Sequence, residues 1–421
     1  MQTPQEHGSG RHSDTPAHGD SWMLTETYQA RVTDLQSRIR AKGLNALLVI
    51  KPENVRYITG LWGYSNRTEY AMPRRLICAV VPASGEPVLI VPKLEYLFAQ
   101  RRSWFADVRY HVEWQSETEA FGGLNLLNEI FKERGLEGKK IGVEKNFISA
   151  ALHDLFTDQL SVSAIHSSAG AVEEMRIIKS PEEVEIMRIG GKMAVQEYYA
   201  ECAGIRPGIR EFEIAMLGRD EAAHQFAWHC DHGNCGCPLE HPLAETSQII
   251  TSGPRSDMVH ALASTRAIEP DDMVLLDFCR IPQFQNYRIG FARNVSMRKP
   301  NSTEQDTFRI VLDAYDKAVS VLRPGVAAEV PDLVAREMLD KAGIGETFIH
   351  RTGRGVGLEG AELPEIGAGD KLPLQAGMVV TIEPSVYLPY FSAHPEDTYL
   401  ITEDSAELLT RCPRELNVLQ R

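Results

Sequence analysis

The chain reads as a mixed α/β (α+β) protein of two domains, a smaller one followed by a larger. Three observations point there. At 421 residues it is too long for one ordinary hydrophobic core. Up to about Ser168, helical spacing alternates with short apolar runs. From Met273 to Glu396, strand-like runs carry acids at their ends: Met273–Asp277, Met378–Glu383, and Glu396-Asp397 just ahead of Thr398–Thr402. Apolar β-rich runs that end on acids read as buried strands delivering carboxylates to one pocket. Metal-assisted hydrolases and carboxylate acid/base enzymes are built on that layout.

The elements follow in order. Thr25 to Lys42 places Tyr28, Val32, Leu35 and Ile39 at helical spacing, and Gly43 stops the helix. Ala46–Ile50 is a strand, followed by Asn54-Val-Arg-Tyr-Ile-Thr-Gly60. The loop Leu61–Arg75 gathers Trp62, Tyr64, Arg67, Tyr70, Arg74 and Arg75. Leu76–Val81 and Pro87–Val91 are strands around a Ser84-Gly85 turn. A boundary comes near residue 170, because Ser180, Pro181 and Glu183 form a helix start: an N-cap, a proline in the first turn and the partner of a capping box. A helical region around Val195–His224 is broken at Pro207-Gly208. His229-Cys230-Asp-His232-Gly-Asn-Cys235-Gly-Cys237-Pro-Leu-Glu-His241 brings cysteines and histidines close together without a paired Cys-x-x-Cys framework. A structural zinc and a plain polar loop are both open there.

Composition excludes several classes. The chain is 43% hydrophobic and 24% charged, as soluble globular proteins are. A net charge of −14 argues against nucleic acid or an anionic membrane as partner. No run approaches the roughly 20 apolar residues of a membrane span. Residues 1–22 read as a disordered tail rather than a secretory signal, being polar without an apolar core. Seven cysteines, odd in number and mostly scattered, fit a reducing cytoplasm.

These motifs, in this order from about Thr25 to Arg421, resemble the pita-bread group of methionine aminopeptidase, aminopeptidase P, prolidase and creatinase. Helix, strand and Asn54–Gly60 resemble the opening of its N-terminal domain, and Met175–Met187 the start of its catalytic domain. The resemblance implies an N-terminal α/β domain over 23–170 and a pita-bread domain over 171–421, an antiparallel sheet covered by helices. It also implies a homodimer in which Trp62, Tyr64, Arg67, Arg74 and Arg75 are candidate lid residues, core and dimer contacts being the other reading.

The peptidase branch of that group holds two divalent metals on Asp, Asp, His, Glu and Glu. Carried over one at a time, the first aspartate falls on Asp277 and the glutamates on Glu383 and Glu396. The second aspartate falls on Gly290, in Asn286-Tyr287-Arg288-Ile-Gly290-Phe-Ala292-Arg293, and the histidine on Arg354, in His350-Arg-Thr-Gly-Arg354-Gly-Val-Gly357. Arginine cannot ligate a metal, but it can pair with crowded carboxylates. In creatinase, a metal-free enzyme of this fold, the catalytic histidine matches His260 in Ser252-Gly-Pro-Arg-Ser-Asp-Met-Val-His260, and the glutamate before proline matches Glu383. Its other substrate glutamate falls on Ala292, so creatine is not the expected substrate. The second histidine of His-Glu-x-Pro is Ala361, with Glu362 and Pro364 kept, which speaks against prolyl peptidase activity.

The reading that follows is a metal-independent, creatinase-like hydrolase that cleaves a non-peptide C–N bond of a small polar nitrogenous metabolite, with no cofactor. His260, Glu383, Asp277 and Glu396 are the candidate catalytic residues. Arg354, Glu362, His350, Tyr287, Trp62, Tyr64 and Arg75 are the candidate substrate contacts. For His350 an interior hydrogen bond is equally open. Two alternatives stand beside it. One is an Xaa-Pro-type metallopeptidase, or a lyase, holding manganese or zinc on Asp277, Glu383 and Glu396. The other is a catalytically inactive binding protein.

Overall fold

The structure, a computed structural model, describes residues 22–419 apart from 64, 66–68, 114–121, 169, 233–247 and 280. It divides into two units, Met1–Ala171 and Val172–Arg421. Of the expected tail only Trp22 is described. The Cys235/Cys237/His241 part of the candidate zinc loop lies outside the described residues.

In the first unit, helix α1 (Thr25–Ala41) buries Tyr28, Val32, Leu35 and Ile39, the single face that three-and-four spacing provides. Strand β1 (Ala46–Val49) follows, and Asn54–Thr59 then falls within helix α2 (Pro52–Thr59). Gly60 ends α2 with φ +80°, where a Cβ would be strained. Buried Glu144 fixes the start of α2: Oε2 accepts from the Ile50 and Lys51 amides at 2.6 Å each, and Oε1 from Asn54 Nδ2 at 2.5 Å. The remaining elements are β2 (Cys78–Pro82), β3 (Val88–Pro92), α3 (Tyr96–Arg102), β4 (Val108–His111), α4 (Gly122–Glu133), β5 (Lys140–Val143), α5 (Ala150–Gln159) and β6 (Ala164–Ser167). The strands form one sheet in the order β4-β3-β2-β1-β5-β6. Pairs β1/β2 and β2/β3 are antiparallel and the others parallel.

The second unit opens with α6 (Glu173–Arg176), α7 (Pro181–Gly204) and α8 (Glu211–His232). Both halves of the Ser180/Glu183 capping box are formed. Strands β7 (Ile249–Ser252), β8 (Met273–Asp277), β9 (Pro282–Phe284), β10 (Tyr287–Arg288) and β11 (Ala292–Ser296) precede helices α9 (Ser302–Ser320) and α10 (Val330–Lys341). Then come β12 (Gly353–Gly355), β13 (Glu362–Ile366), β14 (Val379–Ile382), β15 (Val386–Leu388), β16 (Phe391–Ala393), β17 (Asp397–Ile401), β18 (Ala406–Leu408) and β19 (Asn417–Val418). They form a four-stranded sheet, β19-β11-β8-β7, and a five-stranded one, β13-β12-β14-β17-β18. The two sheets are stitched by a bridge in which Ala292 and Glu396 exchange backbone hydrogen bonds, each 3.2 Å.

Phe308, Val311, Tyr315 and Leu339 from α9 and α10 share one buried cluster with Ile366, Val380, Ile382 and Ile401. Each such side chain contributes about 2 kcal/mol by leaving water, enough to hold the five-stranded sheet rigid where its strand ends carry charge. Among the described residues no helix is long and apolar enough to cross a membrane.

Candidate metal centre

Strand register assembles the site. Asp277 closes β8 opposite Ala292 of β11. Ala292 bridges to Glu396, one residue before β17. Ile382 at the end of β14 pairs with Asp397, so Glu383 and Glu396 flank the same rung. Three carboxylates therefore meet where the two sheets join, and all three are buried.

Arg354, at the middle of β12 and only 5% exposed, projects into that junction. Its Nη1 donates to Glu383 Oε1 in a short contact and reaches Thr381 Oγ1 at 3.3 Å and Glu396 Oε1 at 3.4 Å. Nε donates to the Gly360 carbonyl at 2.7 Å, and Nη2 to Cys279 Sγ at 2.5 Å. Gly290 stands beside it with no room for a side chain, since a Cβ there would run into Glu396 Oε1 and Thr381 Cγ2. Thr398 Oγ1 clamps the Gly290 backbone from both sides, at 2.9 and 2.8 Å.

His394, between β16 and β17, completes the cluster. Asp277, His394 and Glu396 each offer a ligand atom, all within 4.8 Å of one another. His394 Nε2 and Glu396 Oε2 are buried without a hydrogen-bond partner. His394 Nε2 lies 3.8 Å from Glu383 Oε2, beyond hydrogen-bond length. His394 Nδ1 meets Tyr387 Oη at 3.1 Å, and Tyr387 Oη meets His350 Nε2 at 2.9 Å.

Charge and burial compete here. Burial works against the Glu383 anion, but Arg354 above all holds the carboxyl down to about 2. Burial pushes Glu396 well above the usual carboxylate range, Glu383 adds to this, and Arg354 only partly offsets it. Burial raises Asp277 too, against His394 and the Cys279 amide, which donates to Oδ1 at 2.7 Å. With all three carboxylates ionised, one guanidinium would leave two negative charges, which one divalent cation would cancel; without it, burial favours the protonated forms of Glu396 and Asp277.

The other candidate residues sit elsewhere or are already engaged. His260 is solvent-exposed in a turn, and among the described residues no hydrogen bond or ion pair joins it to the carboxylates. Its motif serves the loop instead: Ser252 Oγ donates to buried Glu211 at 2.6 Å, Arg255 pairs with the same carboxylate, and Arg266 binds Ser252 Oγ at 2.7 Å. Tyr287 donates to Glu183 Oε1 at 2.7 Å, within the α7 capping box. Both His350 nitrogens are engaged in interior hydrogen bonds, Nδ1 with the Arg351 carbonyl at 2.7 Å and Nε2 with Tyr387 at 2.9 Å. Arg75 pairs with Glu69 at 2.9 Å and Glu113 at 3.0 Å, Trp62 is half-buried in the first unit, and Tyr64 lies outside the described residues.

Glu362 is committed to Lys179 Nζ at 3.0 Å, the Glu359 amide at 3.0 Å and, in a short contact, Arg176. It anchors α6 and the start of α7 and is not a free substrate ligand. Burial would raise its carboxyl, but Arg176 and then Lys179 hold it down to about 2. A folded pKa below the unfolded one adds stability that is complete above the unfolded value and lost as pH falls from about 4.5 to about 2. The shift corresponds to on the order of 3 kcal/mol. Glu362→Gln is expected to lose that much at pH 7 and to show a flatter decline below pH 4.5, read by urea unfolding across the pH series.

The profile of metallopeptidase family M24 matches residues 185–403, and that of the creatinase/prolidase N-terminal domain residues 31–178. The Xaa-Pro dipeptidase of Pyrococcus furiosus is 30% identical over 92% of this chain and 99% of its own length. The chain belongs to metallopeptidase family M24. The Xaa-Pro dipeptidase of Pyrococcus horikoshii is 31% identical over 89% of the chain and 94% of its own length. The crystal structure of the prolidase from Pyrococcus horikoshii OT3 superposes with a TM-score of 0.76 at 28% identity, covering 92% of this chain and 99% of that one. The fold is thus a creatinase-like N-terminal domain followed by an M24 pita-bread domain.

M24 membership corrects two expectations. Relatives matched along nearly their whole length are Xaa-Pro dipeptidases, which overturns a metal-independent, creatinase-like hydrolase of a non-peptide C–N bond. A cofactor-free site falls with it, because the family is one of metallopeptidases and the chain presents a buried ligand cluster. Of the ligand set expected for a metal, Asp277 and Glu396 fall in the cluster with His394 that could hold an ion, and Glu383 pairs with Arg354. Two ions do not fit, since Gly290 offers no donor and Arg354 puts a fixed cation among the carboxylates. One ion fits, on donors that are clustered, buried and partly unpartnered.

Proposed function

We propose that this M24 chain is a single-metal hydrolase of prolidase type that cleaves the amide bond of short peptides, with Xaa-Pro dipeptides as the first substrates to test. The observation that carries the reading is the Asp277–His394–Glu396 cluster, with Nε2 and Oε2 lacking any partner. A divalent ion held there, manganese or zinc by its mixed oxygen and nitrogen donors, would supply Lewis-acid polarisation of the scissile carbonyl and an activated water. Glu383 stays anionic, and Arg354 holds its Oε1, leaving Oε2 as the proton acceptor beside His394. Arg354 also provides, as a fixed charge, the second positive centre that the two-metal branch obtains from an ion.

Treatment with a chelator followed by addition of manganese or zinc tests this on a panel of Xaa-Pro and Xaa-Ala dipeptides. Cleavage is expected only in the reloaded protein. Cleavage that survives chelation, or none with any metal, would contradict the reading, and the second result would favour a binding protein. A homodimer in the cytoplasm belongs to the same proposal. Free Cys78, Cys279 and Cys412 support the reducing setting, and light scattering checks the oligomer.

A further inference from the structure

The residues behind His394 form a chain of hydrogen bonds with a defined direction. His350 Nδ1 faces the Arg351 carbonyl at 2.7 Å, and a carbonyl only accepts, so Nδ1 carries a proton. In the neutral ring Nε2 is then a lone pair, and it accepts the Tyr387 hydroxyl proton across 2.9 Å. The Tyr387 oxygen, its proton committed, accepts from His394 Nδ1 at 3.1 Å. His394 then carries a proton on Nδ1, and in the neutral ring its Nε2, the atom left without a partner, is a lone pair. The rings are close enough to keep this alignment, with centroids 5.6 Å apart for His350/Tyr387 and 5.7 Å for Tyr387/His394.

We infer that His350 and Tyr387 are positioning residues that lock His394 in the Nδ1–H tautomer, aiming its Nε2 lone pair at a cation shared with Asp277 and Glu396. The inference rests on the proposed metal site for its purpose, but the tautomer itself exists with or without metal. Ring orientation and protonation state are what an outer partner of a ligating histidine controls, and losing one typically costs about 10–100-fold in affinity. No proton has to move, so the lock works by pre-organisation alone.

Nitrogen-15 NMR of the metal-free full chain, labelled at histidine, reads the tautomer directly, with the His394 signal assigned by its loss in His394→Asn. Zinc affinity is measured in parallel by competition with a chromophoric chelator. The wild-type chain is expected to show His394 protonated on Nδ1. Tyr387→Phe is expected to mix the tautomers and weaken zinc about 10–100-fold. His350→Gln, whose amide oxygen can accept from Tyr387 while its NH2 donates to the Arg351 carbonyl, is expected to keep both readouts near wild type, and His350→Ala to lose both. A wild-type His394 protonated on Nε2, or a Tyr387→Phe chain with tautomer and affinity unchanged, would overturn the inference. A wild-type chain that binds no zinc yet shows the Nδ1–H form, mixed by Tyr387→Phe, would sustain the lock while the metal reading failed.

Discussion

Exchange of His394 for alanine is expected to lower kcat/KM on an Xaa-Pro dipeptide by on the order of 10³-fold, with a folded protein and one ion fewer per chain. Asp277 and Glu396 alone offer two carboxylates across the junction of the sheets, too few to fix an ion against water. The loss should sit in kcat/KM at low metal and recover only partly at high metal, because the missing donor is a ligand and not a substrate contact. Steady-state kinetics over a metal titration separates the two. A His394→Ala chain with unchanged kinetics would remove His394 from the site.

Arg354→Met is expected to cost stability before anything else, about 3–5 kcal/mol, because it leaves Glu383 and Glu396 buried without their cation. In a domain of this size that is a fall in Tm on the order of 10 °C, read by calorimetry of the metal-free protein. Arg354→His, which restores the residue found in the two-metal branch, is expected not to bring a second ion. The obstacle is Gly290: any side chain there meets Glu396 Oε1 and Thr381 Cγ2, so Gly290→Asp would push into the carboxylate it is meant to accompany. An Arg354→His chain as stable as wild type and holding two ions would show that arginine is a replaceable occupant and not part of the charge balance.

Much of this was legible in the sequence, in uneven ways. Strands ending on Asp277 and Glu383, and the acid pair at Glu396, stand out because apolar β-runs punctuated by acids have few bland explanations. The substitutions Gly290 and Arg354 were visible because the motifs around them are intact. What the sequence does not display is direction. Tyr287 and Glu362 sit in the right motifs, yet their side chains close a helix cap and an ion-pair anchor. His260 drew attention through the Ser252–His260 pattern, whose polar groups in fact hold a loop to Glu211. His394, on which the proposed site rests, carries only a weak sequence signal: it lies two residues before Glu396, and in extended backbone that spacing puts two side chains on one face. Two absent donors suggest a metal-free site, whereas three buried carboxyls around one arginine still leave room for a further cation.

The number of divalent ions each chain holds at saturation tests the central claim most directly. Equilibrium dialysis of the metal-free protein against zinc or manganese, followed by elemental mass spectrometry, gives it. One ion per wild-type chain, lost in His394→Ala and kept in Cys235→Ser/Cys237→Ser, is the predicted result. Two ions at the carboxylates, or none, would contradict the single-metal site.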